Sequence, residues 1–365
     1  MASAPIHWEP PGEDSGRWLG FRFRPGDIVI STQRKSGTTW MQMICALLIF
    51  QTPELPDPLW HLSPWLESPA VPRELVFAQL AEQRHRRFIK THTPLDGIPS
   101  DPRVTYIVAA RHPLDAFVSL YHQDGAAGSP PPPGPPPGPP PGLSGPPGFT
   151  APAGSPWSPA PPGSGGSSGP PAPPWPPGPP GPPPPGPPPV GPPPVGPPPV
   201  GPPPAEPAPL GPPPPAQPPD VSREELHEVL LEWIAGESLS GVMRYLSDAW
   251  ARRDQPNVLL VHYDDLLTDL EGQMRRLAGR LGIAVPERSW PVLAEAATFR
   301  RMRDRKDILV PPPPGVVADP GFFFRRGTSG AGREILSDDE LAGYYARAAQ
   351  LAPPDLLEWL HRRVA

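Results

Sequence analysis

The sequence predicts an α/β domain built on a central parallel sheet flanked by helices, interrupted by one long low-complexity insertion. Three observations carry that prediction. The apolar run Asp27 to Thr32 passes through a small-residue polar turn, Gln33 to Trp40, into the apolar helical stretch Met41 to Phe50. A second run, Val104 to Ala110, leads into a helix opening near Pro113, where a proline without its N–H is tolerated. Of the 365 residues 73 are proline, and most of them fall in one block. That density removes backbone donors and fixes φ, so the block can build neither helix interior nor central strand.

Setting aside the block from Ala126 to Pro219 leaves about 270 residues, enough for one α/β domain with a sizeable core. The expected organisation is a single domain from 1–125 and 220–365, with a disordered proline- and glycine-rich insertion over 126–219. With 31 basic and 37 acidic side chains the net charge is −6, which does not suggest a nucleic-acid partner. The single cysteine, Cys45, cannot form an intrachain disulfide and fits a reducing, cytoplasmic compartment. Met1 to Trp18 shows no basic region followed by an apolar core, so no signal peptide is expected, and Met41 to Phe50 is too short to span a bilayer.

The first turn is the chemical centre of the chain. A strand feeding a small-residue turn that opens a helix leaves backbone N–H groups without intrahelical partners, and the helix dipole adds partial positive charge. Lys35 supplies a point charge, and Thr38 and Thr39 supply hydroxyl donors. A nucleoside-triphosphatase loop places glycine directly before its lysine; here Lys35 precedes Gly37 by two residues and position 31 is Ser31, so that motif is not met.

Next come a loop rich in proline and tryptophan, Thr52 to Pro72, and a helix from Arg73 to Arg84. The aromatics of the loop, Trp60 and Trp65 with His61, could line an acceptor pocket or cap the core. Arg87 to His92 reads as a short buried strand stopped by Pro94, with its polar residues at the carboxyl end, where open α/β sheets bind ligands. The second strand-to-helix unit places Arg111 at a strand end and Ser119 two turns into the following helix. From Ser129 the insertion is almost only Pro, Gly, Ala and Ser, including the repeat GPPPV. Such composition is expected to stay extended and mobile. Its PxxP patterns could dock SH3 or WW domains, although any proline tract contains them. A third reading is GC-rich coding sequence translated out of frame, which sequencing of the transcript tests.

Order resumes at Ser222, which with Glu225 has the spacing of a capping box before a helix over Glu224 to Ala235. A helix from Leu239 to Arg252, a strand from Asn257 to Val261 and an amphipathic helix from Leu266 to Leu281 follow, then a helix from Trp290 to Arg303. Near the C-terminus Phe322 to Gly327 ends in two arginines and a glycine, which let backbone and side chains face an anion together.

The segments Lys35-Ser36-Gly37-Thr38-Thr39-Trp40, Lys90-Thr91-His92, Arg111 to Asp115 with Ser119, and Arg325-Arg326-Gly327 resemble, in order, those of cytosolic-type sulfotransferases. The resemblance covers essentially all of the chain outside the insertion and implies the P-loop NTPase-like sulfotransferase fold. It also implies 3′-phosphoadenosine 5′-phosphosulfate (PAPS) as sulfuryl donor, and no metal. On it, Lys35 to Thr39 hold the 5′ end of the donor, Arg111 and Ser119 hold its 3′-phosphate, and Arg325, Arg326 and Gly327 close over that phosphate. Trp40, Tyr263 and Phe299 take the adenine. Ala297 stands where many relatives carry threonine, removing one hydroxyl there.

His92 is the implied base, and an imidazole suits that task because it titrates near neutrality. Lys35 and Lys90 are the implied electrostatic partners of the transferring group. The acceptor is a small alcohol, phenol or amine, with a hydrophobic alcohol or phenol favoured over a carbohydrate by Trp60 and Trp65. The family's dimerisation motif is not transferred, because its positions read Arg333, Ser337 and Asp338. Two alternatives stand beside this reading. One is a P-loop kinase-like phosphotransferase with Asp264 as a magnesium-binding acid. The other is a non-catalytic scaffold that displays the proline-rich segment.

Overall fold

Four apolar runs form strands that pair in parallel in the order β2-β1-β3-β4, where β1 is Ile28–Thr32, β2 Phe88–Thr91, β3 Thr105–Ala110 and β4 Val258–His262. The structure is a computed structural model that describes residues 4–126, 222–310 and 324–362, with only the backbone at 124–126. Residues 127–219 of the expected insertion, and the SH3 or WW docking expected of it, lie outside the described residues.

Both faces of the sheet are covered, which is why its strands read as continuous apolar runs. Ile28 and Ile30 of β1 point to one core with Phe88, Ile107, Ala109 and Val261, and there meet the helices Thr38–Phe50, Leu270–Leu281 and Trp290–Ala296. Val29, Ile89, Val108 and Val258 point to the other core. That side is closed by the helices Pro113–Ala126, Arg223–Ala235, Glu237–Ala251, Asp338–Leu351 and Pro354–His361. The helix Thr38–Phe50 buries Met41 and Met43 to Leu48 completely, each large apolar side chain contributing about 1.5–3 kcal/mol. Where β1 and β2 begin, Arg87 donates through Nε to Asp27 Oδ1 at 2.9 Å and through Nη2 to Asp27 Oδ2, forming a buried bidentate pair.

Several elements differ from expectation for local reasons. The stretch Leu266 to Leu281 is two helices, Tyr263–Thr268 and Leu270–Leu281, because Asp269 breaks the first and caps the second by accepting from Gly272 N–H at 2.9 Å. Trp290 to Arg303 likewise splits into Trp290–Ala296 and Phe299–Asp304, with Thr298 as the cap between them. The loop Thr52 to Pro72 contains a single helical turn, Leu59–Leu62. Ser222 caps its helix as expected, but Glu225 leaves the reciprocal bond and accepts from Tyr121 Oη at 2.8 Å instead. Ser337 and Asp338 start a helix, with Ser337 and Glu340 forming a full capping box. No helix among the described residues is long and apolar enough to cross a membrane.

Candidate active site

Because all four strands run in parallel, the residues that follow them collect at one edge of the sheet. After β1, the turn takes positive φ at Lys35 (62°) and Gly37 (98°). Turns wound this way present successive N–H groups as an anion concavity. Gly37 brings no side-chain cap to the helix Thr38–Phe50 that it opens, and a Cβ on it would lie 3.2 Å from the Tyr263 ring. Lys35 Nζ donates to Gln123 Oε1 at 2.9 Å, and Thr38 Oγ1 bonds Thr32 Oγ1.

A cavity of about 200 Å³ opens on this edge. Its wall includes Lys35, Gly37, Thr38, Thr39 and Trp40 from the turn, Lys90 and His92 from the end of β2, Arg111 and Ser119 after β3, and Tyr263 after β4. Phe299, Arg325, Arg326 and Gly327 complete it from the C-terminal part. Of the side chains expected at the site, only Ser36 is missing from this wall; it is buried and faces a neighbouring cavity of about 130 Å³. His92, Arg34 and Arg111 belong to both walls.

The aromatic end of the cavity is tightly built. Trp40 donates from Nε1 to the carbonyl of Ala297 at 2.8 Å and meets Tyr263 edge-on at 5.2 Å. The missing threonine hydroxyl at 297 is therefore not what holds this corner together; a backbone carbonyl is. The Arg111 guanidinium lies 4.4 Å over the Tyr263 ring, and donates from Nη1 to Lys35 O and from Nη2 to Thr328 O. Its Nε is buried and has no acceptor among the described residues. Gly327 has φ 67°, and a Cβ there would sit 2.4 Å from Phe299 Cγ, so only glycine lets this segment pass the ring.

A model of the sulfotransferase domain matches residues 25–142 and 216–341. The chain belongs to the sulfotransferase family. A glycolipid sulfotransferase of Mycobacterium bovis is 35% identical over 349 residues, covering 95% of this chain and 91% of its own. Sulfotransferase 1A1 of Rattus norvegicus is 37% identical over 131 residues, covering 33% of this chain and 44% of its own. Among solved structures, mouse sulfotransferase SULT7A1 complexed with PAP aligns with a TM-score of 0.56 and 16% identity, covering 98% of this chain and 99% of its own. Retinol dehydratase in complex with androsterone and the inactive cofactor PAP aligns with a TM-score of 0.55 and 18% identity, covering 98% and 90%. At those identities the two structures speak for the fold.

The electrostatics of this sulfotransferase cavity are one-sided. Arg34, Lys35, Lys90, Arg111, Arg325 and Arg326 line it, and no carboxylate among the described residues does. Burial, then repulsion from Arg326 and Arg111, lowers the pKa of Arg325, the mark of positive charge gathered at this wall. His122, which the sequence did not single out, is pushed down to about 4 by burial and by Arg325 and Arg326. Asp264, the acid a magnesium-dependent phosphotransferase would use, faces away from this wall and accepts from Ser329 Oγ. Among the described residues no group of His, Cys, Asp and Glu is placed to hold a metal ion.

His92 is set with its tautomer fixed. Its Nδ1 lies 2.7 Å from Thr32 O, and a carbonyl only accepts, so Nδ1 carries the hydrogen and Nε2 keeps its lone pair. Burial above all, then the neighbouring Lys90 charge, holds the imidazole well below its usual pKa, so it is neutral. Trp65 packs edge-on against His92 at 5.2 Å and lies under Lys90 Nζ at 4.3 Å, so of the two loop tryptophans this one reaches the site. Trp60 lines neither cavity. Burial lowers Lys90 to about 8, and Gln123, the partner of Lys35, is a further residue the sequence did not mark.

Proposed function

We propose that this enzyme transfers a sulfuryl group from PAPS to a hydroxyl of a small, largely apolar acceptor, with His92 as general base. The observation that carries the reading is a cavity lined by six basic side chains and no described carboxylate, joined at His92 to a second, mainly apolar cavity. When bound, PAPS supplies the sulfuryl group and leaves as the bisphosphate PAP.

The residues fit such a polyanion. The uncapped turn from Lys35 to Thr39, with Ser36 behind it, takes the 5′ phosphate end. Arg111, whose Nε has no partner among the described residues, together with Ser119, Arg325, Arg326 and the backbone of Gly327, takes the 3′-phosphate. Trp40, Tyr263 and Phe299 take the purine.

His92 removes the acceptor proton through Nε2 while the Thr32 carbonyl keeps the ring oriented and disperses the charge it gains. Lys35 and Lys90 hold positive charge where negative charge grows on the bridging and transferring oxygens. The acceptor lies in the second cavity, reaching His92 from the side opposite the donor. The compartment we infer is the cytoplasm, from the buried free thiol of Cys45, and the catalytic unit is one domain formed by 1–125 and 220–365.

The test is His92→Ala, assayed for PAP release from PAPS and for PAP binding in parallel. Loss of turnover with donor affinity kept supports the base assignment. Full turnover in the variant overturns it.

A further inference from the structure

Glu67 is a fully buried acid that the mechanism above leaves unused. Its Oε1 accepts from Trp18 Nε1 and from Thr91 Oγ1, and its Oε2 is buried with no hydrogen-bond partner among the described residues. An indole N–H only donates, so Oε1 is an acceptor whatever the protonation of the other oxygen. Thr91 ends β2, between Lys90 and His92. With its own hydrogen spent on Glu67, the Thr91 hydroxyl accepts from Thr93 N–H at 2.9 Å.

These bonds fix the backbone on both sides of His92. Thr93 O accepts from Ser31 Oγ at 2.8 Å, and Ser31 pairs with Thr91 in the sheet. Lys90 N–H donates to Pro64 O at 3.3 Å beside the bridge from Trp65 to Lys90, so the segment that carries Glu67 runs along the end of β2. His92 adds the bond from Nδ1 to the Thr32 carbonyl. Trp18, Glu67 and Thr91 line neither cavity, so any effect they have on the reaction passes through the residues they hold.

We propose that Glu67 is a positioning residue of the transfer step: through Thr91 and Thr93 it fixes the backbone that carries His92, and so aims the Nε2 lone pair at the acceptor hydroxyl. The proposal rests on the sulfotransferase reading above and gives its base a support from the core. Filling the core needs no carboxyl group, and a buried oxygen without a partner costs stability. What the carboxyl group provides is an acceptor for two donors, and of these Thr91 leads to the site.

The experiment compares the natural full chain with Glu67→Leu, Glu67→Gln, Thr91→Val and the double variant Glu67→Leu/Thr91→Val. Glutamine keeps the acceptor oxygen, leucine removes it, and valine removes the hydroxyl link while leaving Glu67 in place. With PAPS and 2-naphthol, kcat for PAP release is expected to fall about tenfold to hundredfold in Glu67→Leu and in Thr91→Val, the loss that a small misplacement of a reacting group produces. The Kd for PAP should not change, and Glu67→Gln should restore most of kcat. The double variant should lose no more than either single one, since both cut the same chain of bonds. A purely structural role would lower the unfolding temperature and leave kcat of the folded chain as it is.

A second readout needs no acceptor. In the chain saturated with PAP, 15N NMR of the His92 imidazole, assigned with His92→Ala, should show the Nδ1–H tautomer alone in the natural chain and in Glu67→Gln. The Nε2–H tautomer should appear in Thr91→Val and Glu67→Leu. Should Glu67→Leu fail to fold, Thr91→Val decides: the natural kcat or, where 2-naphthol is not turned over, the natural tautomer overturns the role of Glu67. Failure of the natural chain to bind PAP would instead overturn the sulfotransferase reading on which the proposal stands.

Discussion

Replacing Gly327 by alanine perturbs the donor site through the backbone alone. The residue has φ 67°, a conformation that costs an L-residue about 1–2 kcal/mol. The added methyl would also lie 2.4 to 2.7 Å from three atoms of the Phe299 ring, inside any real contact distance. That ring meets Phe324 at 5.8 Å, so it has little room to turn away, and the segment from Phe324 to Gly327 must shift instead. Arg325 and Arg326 move with it. If one charge-assisted hydrogen bond to the 3′-phosphate is lost, the donor site weakens by about 1.5–3 kcal/mol, or roughly tenfold to hundredfold in Kd. Calorimetric titration of Gly327→Ala with PAP measures this, and thermal unfolding checks that global stability falls by only about 1–2 kcal/mol. A variant that binds PAP with the natural affinity would refute the reasoning, since the arginine segment would then lie outside the donor site.

Asp27→Ala leaves the Arg87 guanidinium buried without its bidentate partner at the start of β1 and β2, and is expected to cost about 3–5 kcal/mol in a denaturant titration; a loss below about 1 kcal/mol would mean that the site relaxes or admits water. The pH profile of kcat/KM should keep its plateau below the ordinary histidine value of 6.5, because His92 is held well below it and stays an unprotonated base. It should fall as pH rises through about 8, where Lys90 loses its charge. An acid limb at or above 6.5, or activity that persists unchanged well above pH 8, would count against those roles.

The scaffold was legible because its signals are local. The period and turn chemistry around Ile28 to Trp40 and Thr105 to Pro113 define strand, turn and helix within a single window. The breaks at Asp269 and Thr298 were not, since each lies inside an apolar pattern that continues across it and only the cap hydrogen bonds reveal the interruption. Of the basic residues that line the first cavity, Lys35, Lys90, Arg111, Arg325 and Arg326 were marked by motif order and Arg34 was not. Gln123 was not marked either, because its bond to Lys35 joins positions 88 residues apart with no shared pattern. The second cavity is the clearest case, since its wall joins an N-terminal segment without periodicity to residues near 117, 233 and 246, which no sequence rule brings together. Trp65 and Trp60 looked equivalent in sequence, and the isolated bridge between Trp65 and Lys90 is what carries one of them to His92.

The account stands most directly on the ligand of the basic cavity. Calorimetric titration of the purified chain with PAP, set against ATP with magnesium, decides it. A cavity with six basic residues and, among the described residues, no lining carboxylate and no partner for Arg111 Nε predicts tight binding of PAP and weak binding of ATP with magnesium. Tight ATP binding with no measurable PAP binding would contradict it and favour phosphoryl transfer.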